Sequence, residues 1–347
     1  MRYPDFLQAG GTIGFVAPSF GCATEPYITC FKGAKDFFHE LGYKTVDGPN
    51  CSCQEGYVLS NTPQKCGAEL TDFYCNKDTD VLISCGGGEL MCDTMDYVDF
   101  DRIKDAKPKW FMGYSDNTNF TLTLNTIADT AAIYGPCASS FGGKTHHQAI
   151  LDCISMLSGE STTVYGYDMW EKESLKGEDN PSAPYNLTEK KVLRTFCGNR
   201  ETTGDRVELS GRLIGGCMDI LFMHIGTKFD HIEEFSNQYQ DDGIIWFMEA
   251  CEMNIMDLKR CLWAMEHAGW FKHVKGFIFG RPYMCMGQQF FGSTHYEAIM
   301  KVLDKYNVPV IMDADIGHLP PMMPIISGAC ADITVEDNNV RFEYDLR

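Results

Sequence analysis

Residues 109–124 constrain the fold more than any other stretch of the chain. An apolar run, Trp110-Phe111-Met112, stops at Gly113. A polar cluster from Tyr114 to Asn119 follows, and apolar spacing resumes at Phe120, Leu122 and Leu124. This pattern predicts a buried strand, a tight turn and the start of a helix. Ser115 falls at the turn, where a hydroxyl can be held clear of a sheet while the following backbone N–H groups point to the same side. Gly113-Tyr114-Ser115-Asp116-Asn117 departs from the G-x-S-x-G elbow pattern at its last position, where Asn117 stands. Two readings are therefore open. One is a nucleophile elbow. The other is an ordinary β-to-α turn with Ser115 or Asp116 as helix N-cap.

The flanking sequence repeats the strand-then-helix order. Residues 11–19 read as a buried strand running into a turn, residues 26–41 as a helix ending at Gly42, and residues 43–46 as a second strand. A helix over 62–74 has Thr62 as N-cap and Pro63 at its first position. The apolar run 80–85 ends in Gly86-Gly87-Gly88, and the run 131–134 closes at Gly135-Pro136. Strands alternating with helices mean an α/β fold with a parallel sheet covered on both faces, and ligands bind beyond the carboxyl ends of such strands. Residues 1–157 form the expected N-terminal domain. Composition shifts over 158–205, which reads as a connecting segment or long surface loop. The remainder, 206–347, reads as a C-terminal domain. It has strands at 243–249, 274–279 and 308–312, helices at 218–224, 255–267 and 295–306, and a hairpin around Asn338-Asn339.

With 347 residues, 44% of them hydrophobic, each domain has enough apolar material for its own core. The formal net charge of −19 argues against a nucleic-acid polymer or an anionic membrane surface as partner. No apolar run approaches the ~18 residues needed to span a bilayer. Residues 1–11 lack a secretory pattern, so the expected location is the cytoplasm. The 16 cysteines are scattered without a C-x-x-C pair. A disulfide framework is not expected, and the spacing of Cys51, Cys53 and Cys66 fits no common closed zinc site.

Three polar residues stand at strand ends or in the loops after them: Ser115, Glu249 and His318. Acyl transfer needs a nucleophile, a base to take its proton and an acid to hold the base, and this chain order is that of α/β-hydrolases. Glu249 as a strand-end acid capping a helix, and His318 as a loop histidine bonded to backbone, remain open at this level. The glycine run could supply an oxyanion N–H or cradle a phosphate. Neither G-x-G-x-x-G nor a P-loop motif occurs. His146, His147 and Glu252 lack metal-ligand partners at helical spacing.

The ordered set of Gly11-Thr12-Ile13-Gly14-Phe15-Val16-Ala17-Pro18-Ser19, the glycine run with Val98-Asp99-Phe100-Asp101, Gly113-Tyr114-Ser115-Asp116, Tyr134-Gly135-Pro136, Gly211-Arg212-Leu213-Ile214-Gly215-Gly216, Phe247-Met248-Glu249, Lys275 to Pro282, and Gly317-His318-Leu319-Pro320-Pro321 resembles the LD-carboxypeptidase family of serine peptidases, which includes the microcin C immunity hydrolases. The resemblance spans nearly the whole chain. It implies a Rossmann-like N-terminal domain carrying the serine and a smaller β-rich, swivelling C-terminal domain carrying the acid and the histidine. The site would then lie between domains, and the usual assembly is a homodimer. The resemblance implies no metal and no organic cofactor. It further implies a Ser115–His318–Glu249 triad, an oxyanion hole from the backbone N–H groups of Asp116 and Gly87, and substrate contacts at Gly88, Glu89 and Tyr114. The implied substrate is a small peptide, a muropeptide with an L,D bond to a terminal D-amino acid. The alternatives are a peptidyl- or aminoacyl-nucleotide of the microcin C type, or a non-catalytic ligand-binding protein on the same fold. Two departures affect the pocket: Glu89-Leu90-Met91-Cys92 replaces the aromatic residue and asparagines that often follow the glycine pair, and Ala250 stands where an acid often follows the glutamate.

Overall fold

The structure is a computed structural model and describes residues 1–346. The chain divides into two compact units. One comprises residues 1–162, 173–186 and 324–326, and the other comprises 163–172, 187–323 and 327–347.

The first unit is built on β1 (Thr12–Val16), β2 (Lys44–Asp47), β3 (Val81–Ser84), β4 (Trp110–Gly113) and β5 (Ala132–Tyr134). The order is β5-β4-β3-β1-β2, and every one of these pairings is parallel; the short strand Ile325–Ser327 lies at the β5 edge. All residues of β3, β4 and β5 are buried, as strands covered on both faces must be. The crossover elements are α1 (Tyr27–Glu40), α2 (Pro63–Cys75), α3 (Met91–Met95), α4 (Phe100–Asp105), α5 (Thr118–Thr126) and α6 (Gln148–Ser158). Thr62 caps α2 by accepting from Lys65 N, with Pro63 at the first position, as its sequence predicts. Phe15 packs edge-on against Phe31 and tilted against Phe38, which anchors α1 on the sheet.

The second unit begins inside the segment expected to be a connection. That segment carries β6 (Thr163–Tyr165), β7 (Met169–Glu171), β8 (Leu187–Lys190), β9 (Arg194–Cys197) and β10 (Arg200–Glu201). They are short, from two to four residues each, so no sustained period marks them in sequence. The long strand β11 (Val207–Cys217) follows, then α7 (Met218–Leu221), α8 (Ile232–Gln238), β12 (Ile244–Glu249), α9 (Ile255–His267), β13 (Val274–Gly280), α10 (His295–Leu303), β14 (Pro309–Ala314), β15 (Ile325–Ser327, the strand at the edge of the first sheet), β16 (Cys330–Glu336) and β17 (Asn339–Asp345). The sheet order is β10-β9-β14-β13-β12-β11-β16-β17-β6. Its centre, β11 to β14, is parallel, and antiparallel strands flank it on both sides. Trp246 on β12 stacks on Trp270 at 5.7 Å, both rings fully buried. Among the described residues no helix is long and apolar enough to cross a membrane.

Candidate active site

The turn after β4 is the sharpest feature of the first unit. Tyr114 is extended, Ser115 adopts a left-handed φ of 62°, and residues Ser115–Asn117 form a single 3₁₀ turn before α5 begins. Asn117, not Ser115 or Asp116, occupies the N-cap position of α5, which corrects the cap assignment. A left-handed serine is costly, and the turn is held against relaxation at both ends of one peptide. Ser115 N–H donates to Tyr134 Oη at 3.1 Å, while Tyr114 O accepts from Asn117 N at 3.2 Å and Asn117 Nδ2 at 3.0 Å. Gly113 is required by close approach, because a Cβ there would lie 2.8 Å from Asn117 Cγ.

Gly87 sits against the serine. A Cβ at Gly87 would be 3.2 Å from Ser115 Cβ and 3.3 Å from Ser115 Oγ. The glycine loop is fixed by Phe20 N–H to Gly87 O at 3.0 Å, and by Ser84 Oγ and Asn117 Nδ2, both to Gly86 O at 2.9 Å. Gly88 has φ 150°, and a Cβ there would overlap Ser19 Oγ. Glu89 is exposed, and Tyr114 is half-buried with its ring edge-on to Tyr134.

The Asp116 carboxylate is fully buried and accepts three donors. Ser19 Oγ reaches Oδ2 at 2.5 Å, Met91 N reaches Oδ2 at 2.9 Å, and Asn119 Nδ2 reaches Oδ1 at 3.0 Å. Burial pushes this carboxyl above its ordinary range, and the three hydrogen bonds oppose that shift. It ties the loop after β1 and the start of α3 to the elbow. The Ala17-Pro18-Ser19 end of the first strand was the available signal for Ser19.

In the second unit β12 ends on Glu249, which is 1% exposed, and β14 leads into the loop carrying His318. His318 Nδ1 lies 2.8 Å from Glu249 Oε2, so Nδ1–H donates to the carboxylate. Burial works to depress the imidazole. The Glu249 charge and hydrogen bonds with Cys251 and Glu249 outweigh it and hold His318 well above its ordinary value. Gly317, at φ 95°, permits the contact, since a Cβ there would overlap the Glu249 carboxylate. Arg281, missed in the sequence, braces this loop: it donates to Asp313 O at 2.9 Å and Leu319 O at 3.4 Å, and pairs with Asp315 at 2.6 Å. Tyr283 places its ring 6.5 Å from that of His318. The Cys51, Cys53 and Cys66 thiols turn to separate partners, Phe15 O, Pro49 O and Ser60 Oγ.

This arrangement can do general-base chemistry at His318 and present a strained hydroxyl beside a glycine wall. Residues 13–135 match the model of the LD-carboxypeptidase N-terminal domain, and residues 210–333 match that of the C-terminal domain. The microcin C7 self-immunity protein MccF of Escherichia coli is 26% identical over 96% of this chain and 93% of its own length. Its structure in complex with glutamyl sulfamoyl guanosine matches with a TM-score of 0.77 at 24% identity, covering 99% of this chain and 98% of that one. A probable murein peptide carboxypeptidase of Bacillus subtilis is 24% identical over 98% of this chain and 94% of its own length. An MccF-like protein from Bacillus anthracis has the same fold, with a TM-score of 0.82 at 20% identity over 99% of this chain and all of that one. With both family domains matched in order along one chain, the protein belongs to the LD-carboxypeptidase family of hydrolases.

Proposed function

We propose that the protein is a serine amidase in which Ser115, His318 and Glu249 act as one triad on an amide near the carboxy terminus of a small substrate. The observation that carries the reading is the 2.8 Å bond from His318 Nδ1 to the buried Glu249 carboxylate. With Nδ1–H held there, we assign Nε2 as the base, on a ring whose charged form is already stabilised. His318 Nε2 takes the Ser115 proton as Oγ attacks the carbonyl carbon. The N–H groups of Asp116 and Gly87 receive the oxyanion, and Glu249 balances the imidazolium. Nε2 then returns the proton to the leaving amine as the C–N bond breaks. Water, deprotonated by the same nitrogen, releases the acyl group and restores the serine.

The substrate we favour is a muropeptide whose L,D bond to a terminal D-amino acid is cleaved, in keeping with the family of both domains. A second reading, an aminoacyl-nucleotide amide, is supported by the likeness to MccF. Gly88, Glu89 and Tyr114 are the proposed substrate contacts. Purified protein offered a murein tetrapeptide and an aminoacyl-sulfamoyl adenosine separates the two. Release of the terminal D-amino acid supports the first. Cleavage of the sulfamoyl compound with the tetrapeptide left intact replaces it with the second.

A further inference from the structure

The elbow departs from the common glycine pattern at Asn117, and the geometry points to a task for that side chain. We propose that Asn117 is a positioning residue that fastens the nucleophile and one oxyanion donor to a single amide group. This inference rests on the reading of Ser115 as nucleophile and of Gly87 N–H as an oxyanion donor.

Asn117 is fully buried. Its Nδ2 donates to Gly86 O at 2.9 Å and to Tyr114 O at 3.0 Å, with Cys137 Sγ further away at 3.6 Å. An amide nitrogen has two N–H bonds, and both go to carbonyls here. Only the nitrogen end can serve two acceptors, so the chemistry of the partners fixes the amide orientation.

Each carbonyl belongs to a peptide next to the proposed machinery: Gly86 C=O shares its peptide with Gly87 N–H, and Tyr114 C=O shares its peptide with the nitrogen of Ser115. The peptide is planar and trans, so its C=O and N–H point in opposite directions. Pinning Gly86 O therefore sets the line along which Gly87 N–H points. Ser84 Oγ pins the same oxygen from a second direction at 2.9 Å. Pinning Tyr114 O likewise sets the plane of the peptide that enters Ser115, whose N–H is held at its other end by Tyr134 Oη at 3.1 Å. One side chain thus fixes the strained serine and the glycine wall relative to each other. A glycine at position 117 has no group to do this. Gly113 leaves the room for it, as a Cβ there would crowd Asn117 Cγ at 2.8 Å.

A residue of this kind acts on the transition state, where the oxyanion and the attacking oxygen must coincide with their partners, and hardly on substrate binding. The test uses Asn117→Asp, which keeps the shape but sets an oxygen against two carbonyls, and Ser84→Ala, which removes the second anchor of Gly86 O. The parent is assayed first with the tetrapeptide and the sulfamoyl compound, and by labelling of Ser115 with a fluorophosphonate. A parent inert to all three sinks the functional reading and this inference with it. With an active parent, we expect Asn117→Asp to lower kcat ~100-fold and fluorophosphonate labelling in parallel, with KM within about twofold. Ser84→Ala should lower kcat severalfold with the same KM signature and an unchanged unfolding midpoint; if the aspartate variant does not fold, Asn117→Ala, which removes both Nδ2 bonds, takes its place with the same expected loss. A kcat within about twofold of the parent in the folded variants, or a raised KM at unchanged kcat, overturns the role of Asn117 and leaves the functional reading standing.

Discussion

At Ser115 a non-glycine residue holds a φ of 62°, a conformation that costs roughly 1–2 kcal/mol, and Gly87 stands within van der Waals distance of its side chain. Gly87→Ala would set a methyl 3.3 Å from Ser115 Oγ, tight enough to displace the hydroxyl by a few tenths of an ångström. We expect kcat to fall ~10- to 100-fold with little change in thermal midpoint, measured by steady-state kinetics beside a melting curve. At the other end of the proposed triad, Glu249 raises the His318 pKa against the effect of burial. The base must be neutral to act, so the acid limb of the kcat/KM profile reports this pKa. Glu249→Gln removes the charge. The limb should move to lower pH while the plateau falls by orders of magnitude, and a limb that stays in place would show that His318 is not the titrating base. The sign for stability runs with it. A raised folded pKa stabilises the fold below the ordinary histidine range, and that contribution is lost as pH rises through the folded value.

At the level of elements, the loop that carries His318 is braced by Arg281, which links the end of β13 to the residues after β14 through its buried pair with Asp315. Arg281→Met would leave the buried Asp315 without that partner, at a cost of about 3–5 kcal/mol, which a denaturant midpoint measures directly. Such bracing was hidden in the sequence, whereas the elements themselves were largely legible. The strand–turn–helix at 109–124, the capped start of α2 and the span of α9 all announce themselves through local spacing and caps. The strands in 158–205 did not, because β8 and β10 are short and half or fully exposed, and β6 and β9 are formed by pairing with the distant strands β17 and β14 rather than by local pattern. The Asp116 carboxylate and Asn117 were illegible for a related reason. Their partners Ser19, Met91 and Gly86 lie 97, 25 and 31 residues away, and only the folded sheet brings those loops together. The three triad candidates were visible as strand-end polar residues, but which of them meet is a tertiary fact, seen here for Glu249 and His318.

For the molecule as a whole, a buried neutral histidine sets an acid limit to stability. Burial lowers His224 to about 4, against an ordinary 6.5. The unfolded chain binds the proton first, so stability falls as pH drops from the ordinary value through the folded one, by on the order of 3 kcal/mol. Unfolding free energies at pH 7 and pH 4 should differ by less in His224→Gln than in the parent, and an equal difference would remove His224 from the acid response. The central proposal is that Ser115, Glu249 and His318 act as one catalytic group. Turnover of the murein tetrapeptide by Ser115→Ala beside the parent tests it most directly. The account predicts that the variant keeps the parent's unfolding midpoint and loses at least ~10³-fold in kcat. Equal turnover by variant and parent would contradict it.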